Sequence, residues 1–145
     1  MERSTRQREA IRRTFETIDR PLSPTEILAS AKAEVPRLGI ATVYRTVRSL
    51  CDEGWLVSVD IPGEAPRYER AHKGHHHHFV CRQCDRVFDV LGCADGLGRL
   101  TPDGFVLESH DIVLCGLCVE CAGTNRSRRR APQSRDSLST HAADR

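Results

Sequence analysis

No run of apolar residues in this chain approaches the ~18 needed to cross a bilayer as a helix, which excludes a helical membrane span. Met1 to Arg13 is charged and lacks the apolar centre of a secretory signal, so a cytoplasmic location is expected. The cysteine count, seven, is odd, and a full set of internal disulfides is therefore impossible. No internal repeat recurs beyond two Cys-x-x-Cys knuckles. There is also no glutamate beside a metal-type ligand at a spacing such as His-Glu-x-x-His, so a general base for a zinc enzyme is missing and no enzymatic activity or small-molecule substrate is expected.

What is present is 145 residues, 39% hydrophobic and 29% charged, enough for one ordinary domain or two small ones. Apolar residues recur at helical spacing from about Ser4 to Ile18 (Ala10, Ile11, Phe15), with Ser4 or Thr5 as candidate caps. Ser23, Pro24 and Glu26 form the signature of a capping box at the start of a second helix. A third helix runs from Ile40 or Ala41 to Asp52, with Val43, Val47 and Leu50 on its core face. Trp55–Val59 and Arg67–Glu69 flank a Pro62-Gly63 turn and read as a hairpin. Three helices and a hairpin are the pattern of a winged helix-turn-helix.

The expected fold class is α+β: a winged-helix domain over residues 1–70, then a small α/β dimerisation domain over 71–125 carrying a four-cysteine zinc site. The second domain is read as strands at His75–Cys81 and Arg86–Val90, a short helix at Ala94–Leu100, and at least one strand between Phe105 and Leu114. Residues 126–145, basic and almost free of apolar side chains, are expected to be a disordered tail.

The exposed side of the third helix carries Thr42, Tyr44, Arg45, Thr46, Arg48 and Ser49 and almost no acid. Arginine pairs bidentately with guanine, while Thr and Tyr contact phosphates or the thymine methyl, so this face suits double-stranded DNA. Arg3, Arg6, Arg8, Arg12 and Arg13 add a small basic patch at the N-terminus.

The densest chemistry lies in Gly74-His75-His76-His77-His78-Phe79-Val80-Cys81-Arg82-Gln83-Cys84. In an extended segment alternate side chains face opposite sides, so His75 and His77 share one face and His76 and His78 the other. One strand then serves two metal sites while its end enters a third. Cys81, Cys84, Cys118 and Cys121 make a four-thiolate set suited to tetrahedral zinc. The alternative for a lone Cys-x-x-Cys is a redox dithiol, but two pairs beside a histidine cluster favour metal. Spacing alone also permits Cys115/Cys118 as the second knuckle. Further candidate ligands are His72, Asp89, Cys93 and His110.

Thr5-Arg6-Gln7-Arg8, Ala41-Thr42-Val43-Tyr44-Arg45-Thr46-Val47, His75–Cys84 and His110…Gly116-Leu117-Cys118-Val119-Glu120-Cys121 together resemble the ferric uptake regulator (Fur) superfamily, in the expected order over about residues 4–122. The resemblance implies a homodimeric, metal-dependent repressor that binds a palindromic DNA operator, with Tyr44 and Arg45 on the recognition helix, Thr42 and Arg48 beside them, and Arg3 near the minor groove. It implies Cys118/Cys121 as the second knuckle. It also implies two regulatory sites. His75, His77 and His110 match one; its usual Glu is absent near Gly96, and Cys93 is expected to complete it, tilting selectivity toward zinc over iron. His76, His78 and Asp89 match the other, near the hinge; Pro21 and Arg70 stand where further ligands are usual, leaving His72 as the nearest substitute. The expectation is therefore a structural Zn2+ and a regulatory Zn2+, with regulatory Fe2+ or Mn2+, or a peroxide-sensing role, as the alternative. His75 and His77 are expected to matter more to the metal response than His76 and His78.

Overall fold

In the computed structural model, which describes residues 2–130, helix α1 (Glu2–Thr17) turns Ala10, Ile11, Thr14 and Phe15 inward. It begins before Ser4 because Glu, Arg and Gln are good helix formers, and the helix persists where apolar periodicity gives no signal. Helix α2 (Pro24–Ala31) opens with the expected capping box: the Glu26 amide donates to Ser23 Oγ (3.3 Å) and the Ser23 amide to Glu26 Oε2 (2.8 Å). Helix α3 (Ile40–Asp52) starts at Gly39 without a side-chain cap and buries Val43, Val47 and Leu50.

These three helices enclose one apolar core with Leu22, Leu38 and Leu56. Trp55 closes its edge, meeting Phe15 edge-on (6.1 Å between ring centroids, 83°) and lying under the Arg12 guanidinium at 4.6 Å. The wing pairs β1 (Leu56–Val59) with β2 (Arg67–Arg70) in antiparallel register, Leu56 opposite Arg70. Leu22 adds a bridge to Tyr68, exchanging backbone hydrogen bonds of 2.8 and 2.9 Å.

The second sheet has the order β4-β3-β5, built from β3 (His77–Cys81), β4 (Val87–Val90) and β5 (Val113–Gly116). β3 is antiparallel to β4 and parallel to β5. Gly116, opposite Cys81, lets the Phe79 ring approach: a Cβ there would lie 3.0 Å from it. The apolar core of this half is small. Val80 and Val87 pack with Val59 and Ile61, from the end of β1 and the turn of the wing, and with half-buried Val113. A separate cluster holds Cys81, Cys118 and Cys121 with Cys84, Phe88 and Leu117.

Three sequence expectations change here. Only a 3-10 turn (Leu97–Leu100) forms where a helix from Ala94 was expected, because Gly96 at φ 85° breaks the helical path. β3 begins at His77, so His75 and His76 lie just ahead of the strand. Helix α4 (Val119–Arg130) starts inside the second knuckle and runs five residues into the stretch expected to be disordered, since a knuckle anchored by Cys118 and Cys121 nucleates it. Residues 131–145 of that expected tail lie outside the described residues. Among the described residues no helix is long and apolar enough to cross a membrane.

Candidate metal centres and nucleic-acid interface

Strand alternation sorts the four histidines as the sequence requires, even though only two of them are in β3. The His75 and His77 rings stack edge-on at 4.6 Å, and those of His76 and His78 at 4.9 Å, on opposite sides. Three clusters result, each with its candidate ligand atoms within 4.8 Å of one another.

The first joins His75, His77, Cys93 and His110. Cys93 Sγ lies 2.9 Å from His110 Nε2 and 3.4 Å from His77 Nε2, and His75 Nε2 is 3.2 Å from His110 Nε2. His77 is buried, and the Ile112 amide donates to its Nδ1 (3.2 Å), fixing the ring with Nε2 toward Cys93. Asp111 Oδ1 lies 3.8 Å from the same Nδ1, beyond hydrogen-bond distance. Cys93 and His110 lie outside the helices and strands, Cys93 after β4 and His110 before β5.

The second cluster joins Glu69, His76, His78 and Asp89 at the junction of the two halves. Asp89 is opposite His78 across the β3–β4 ladder, and Glu69 comes from wing strand β2. His72, the expected fourth member, is not part of it: its backbone is left-handed (φ 64°) and its side chain is exposed. The ligand sequence reasoning missed is Glu69, one residue before Arg70. The available signal was the alternation of β2, which buries Arg67 and Glu69 and leaves Tyr68 and Arg70 half-covered.

This cluster is chemically incomplete as a set of protein groups. His76 Nδ1–H donates to the Gly74 carbonyl (2.9 Å), so Nε2 of the neutral ring presents a lone pair 3.0 Å from Glu69 Oε1. Two acceptors at that distance require a proton or a metal ion between them. Five buried side-chain atoms lack a hydrogen-bond partner among the described residues, and three belong here: Glu69 Oε2, His78 Nε2 and Asp89 Oδ1. These donors fit a divalent cation.

Titration properties follow the same crowding. Burial opposes charge on His76, but Gly74, Glu69 and Asp89 outweigh it and raise its pKa. Burial, reinforced by Glu69, pushes the Asp89 carboxyl above the ordinary carboxylate value despite Lys73. Glu69 is also penalised by burial, yet its hydrogen bonds and the neighbouring imidazoles hold it below that value.

The third cluster is Cys81, Cys84, Cys118 and Cys121, with Cys84 and Cys118 sulfurs 3.8 Å apart. Cys115 is exposed on β5, outside it. The Cys118 amide donates to Cys81 Sγ (3.3 Å) and, with the Cys84 and Gln83 amides, lowers that thiol to about 6. Burial and the other sulfurs push Cys121 up to about 12, a thiol that ionises only with a cation to compensate. Arg86 spans the knuckles, donating from Nε to Cys84 Sγ (3.3 Å) and pairing with Glu120.

In the winged half, α3 leaves Tyr44 exposed (54%) together with Arg45 and Arg48. Arg45 donates to Thr42 Oγ1 (3.2 Å), and Tyr44, Arg45 and Arg48 line a groove against Ser58 and Tyr68 of the wing. Arg8 of α1 grips Ser49 (3.2 Å) and Glu53, fixing α3 against α1. Arg3 is exposed near Arg6 and Arg37.

A family model described as the ferric uptake regulator family matches residues 2–115. The zinc uptake regulation protein of Mycobacterium tuberculosis is 34% identical over 122 residues, covering 82% of this chain and 94% of that protein. The ferric uptake regulation protein of Campylobacter jejuni is 31% identical over 123 residues, covering 81% and 78%. Among solved structures, the Helicobacter pylori ferric uptake regulator, described as having three functional metal-binding sites, superposes with a TM-score of 0.61 at 26% identity over 80% of this chain and 79% of that one.

Proposed function

The chain belongs to the ferric uptake regulator family, and from that premise we propose that it is a zinc-responsive transcriptional repressor that binds a palindromic DNA operator as a homodimer. The observation that carries the zinc assignment is Cys93 Sγ among three imidazoles, 2.9 Å from His110 and 3.4 Å from His77. A thiolate among nitrogen donors tilts selectivity from iron toward zinc and disfavours manganese, which prefers oxygen donors. The 34% identity to a zinc uptake regulation protein supports the same reading.

Each residue group has a role in it. Cys81, Cys84, Cys118 and Cys121 hold a structural zinc that clamps the end of β3 to the start of α4. His75, His77, Cys93 and His110 hold the regulatory zinc and draw two loops onto β3. Glu69, His76, His78 and Asp89 form a second regulatory site that ties wing strand β2 to the second sheet. Metal binding at these sites fixes the two winged helices relative to each other and shifts the population toward the operator-competent form. Tyr44, Arg45, Thr42 and Arg48 enter the major groove, two recognition helices spaced about one turn (~34 Å) apart, and Arg3 reaches the adjacent backbone or minor groove.

The nitrogen and oxygen donors of the hinge cluster favour the alternative, an iron-responsive or peroxide-sensing regulator. Operator-binding titrations at fixed salt with Zn2+, Fe2+ and Mn2+ separate the two. Under the zinc reading, Cys93→Ala and His77→Ala abolish the zinc response while Tyr44→Ala/Arg45→Ala abolishes operator binding with metal content intact. Zinc-independent operator affinity in the wild type, or a full zinc response in Cys93→Ala, would sink it.

A further inference from the structure

We propose that Lys73 is a resident cation of the hinge cluster: its ammonium bridges the two halves of the chain when no metal is bound, and a divalent ion must loosen that bridge to bind. The inference rests on reading Glu69, His76, His78 and Asp89 as a cation site, and is independent of the zinc assignment at Cys93.

Lys73 Nζ donates to Asp89 Oδ2 at 2.7 Å and to Asp19 Oδ1 at 3.0 Å, with Glu69 Oε2 3.7 Å away. Its side chain is only 15% exposed, unusual for a lysine. The local backbone accounts for this. His72 and Gly74 on either side are both left-handed (φ 64° and 76°), a double turn that leaves His72 in solvent and delivers Lys73 to the cluster. Glycine takes such a φ freely; His72 does so at a cost.

The contact is also a joint. Asp19 follows α1 and belongs to the winged half, and Arg70 of β2 holds it as well (3.2 Å). The next residue, Arg20, donates to the Val87 carbonyl (3.4 Å) and lies over the Phe88 ring at 5.3 Å. Asp19 and Arg20 therefore fasten the α1–α2 connection to β4, the first through Lys73 and the second directly.

Competition follows from a shared carboxylate. Asp89 Oδ1 is free of hydrogen bonds and available to a metal, while Oδ2 of the same carboxylate carries Lys73. An ammonium and a divalent ion on one half-buried carboxylate repel strongly at that range. Metal entry thus moves Lys73 toward Asp19, its other acceptor. The hinge cluster, though complete in donors, is weakened by its own lysine, and this is the reason to rank His75 and His77 above His76 and His78 in the metal response.

Mn2+ titrated into full-length protein carrying His110→Ala, which removes a ligand from the Cys93 cluster alone, tests this by the loss of the free-ion EPR signal. Lys73→Gln in that background should tighten Mn2+ binding roughly tenfold or more, the size of effect a neighbouring charge has on a carboxylate equilibrium. Lys73→Arg, which keeps the charge, should stay near the parent. Asp19→Asn, which removes the charged acceptor outside the cluster and leaves Lys73 to Asp89 and Glu69, should weaken Mn2+ binding and speed amide exchange at residues 19–22 in the metal-free protein. Unchanged or weaker binding in Lys73→Gln overturns the inference, as does tightening by Lys73→Arg to the same extent. Absence of Mn2+ binding by the parent, with zinc-dependent operator binding of the wild type preserved, overturns it too and leaves the Cys93 reading standing.

Discussion

The two halves of this chain are held together by different physics. The winged half closes on aliphatic and aromatic side chains: Ile11, Phe15, Leu22, Ile27, Val43 and Leu50 are each fully or almost fully buried. The second half has Val80 and Val87, and borrows Val59 and Ile61 from the wing hairpin. Its other buried groups are cysteines and histidines, and Leu91, Leu100, Phe105, Val106 and Val119 remain in solvent. So small an apolar interior leaves the conformational entropy of the segment uncompensated unless something else is bound. A fold stabilised by donor atoms reports whether the donors are occupied, whereas a fold stabilised by hydrocarbon does not. The exposed apolar side chains of the second half are, under the homodimer proposal, the surface that a second copy covers.

The largest test of that contrast is metal removal. Structural zinc supplies on the order of 10–16 kcal/mol in small four-ligand sites, so chelation or Cys118→Ser should melt the second half while the helical signal of α1–α3 survives to a separate, higher transition. A single transition indifferent to chelator would break the comparison. Next in size, Phe15→Ala should cost about 3–5 kcal/mol through a cavity in the winged core. Calorimetry should place that loss in the winged transition, with zinc content unchanged.

The smallest effect sharpens the contrast through pH. Glu26 is penalised by burial, but the Ser23 amide and the Arg20 guanidinium hold its carboxyl below the ordinary value. A depressed folded pKa contributes stability that is present above the unfolded carboxylate pKa and lost as pH falls through the folded one. Glu26→Gln, which can keep the capping-box hydrogen bond but loses the charge facing Arg20, should therefore lower stability at neutral pH by about 1 kcal/mol or less, and flatten the acid limb of the winged transition. An unchanged acid limb would remove Glu26 from the account.

Much of both halves is legible in the sequence. The capping box at Ser23, the core face of α3 and the alternation of the histidines are consequences of short-range geometry, and each is realised. The joining of His75, His77, Cys93 and His110 was anticipated from the resemblance together with the nearness of a thiol to the expected ligand position. Failures fell where local pattern is silent. Helix α4 crosses into a composition that reads as unstructured, because its start is fixed by cysteines rather than by its own apolar face. His72 is a better ligand type than its neighbours and still points away, because its φ is set by a turn.

What the sequence determined by itself is therefore the set of donors that one extended segment divides between its two sides, since a two-residue period needs no knowledge of distant partners. Which distant group completes each set was decided only in three dimensions. The register of β2 against β1 buries Glu69, a parallel β5 leaves Cys115 outside the sulfur cluster, and two left-handed residues aim Lys73 between Asp19 and Asp89. Register and turn handedness depend on the sum of packing across both halves, and no single stretch of residues encodes that sum.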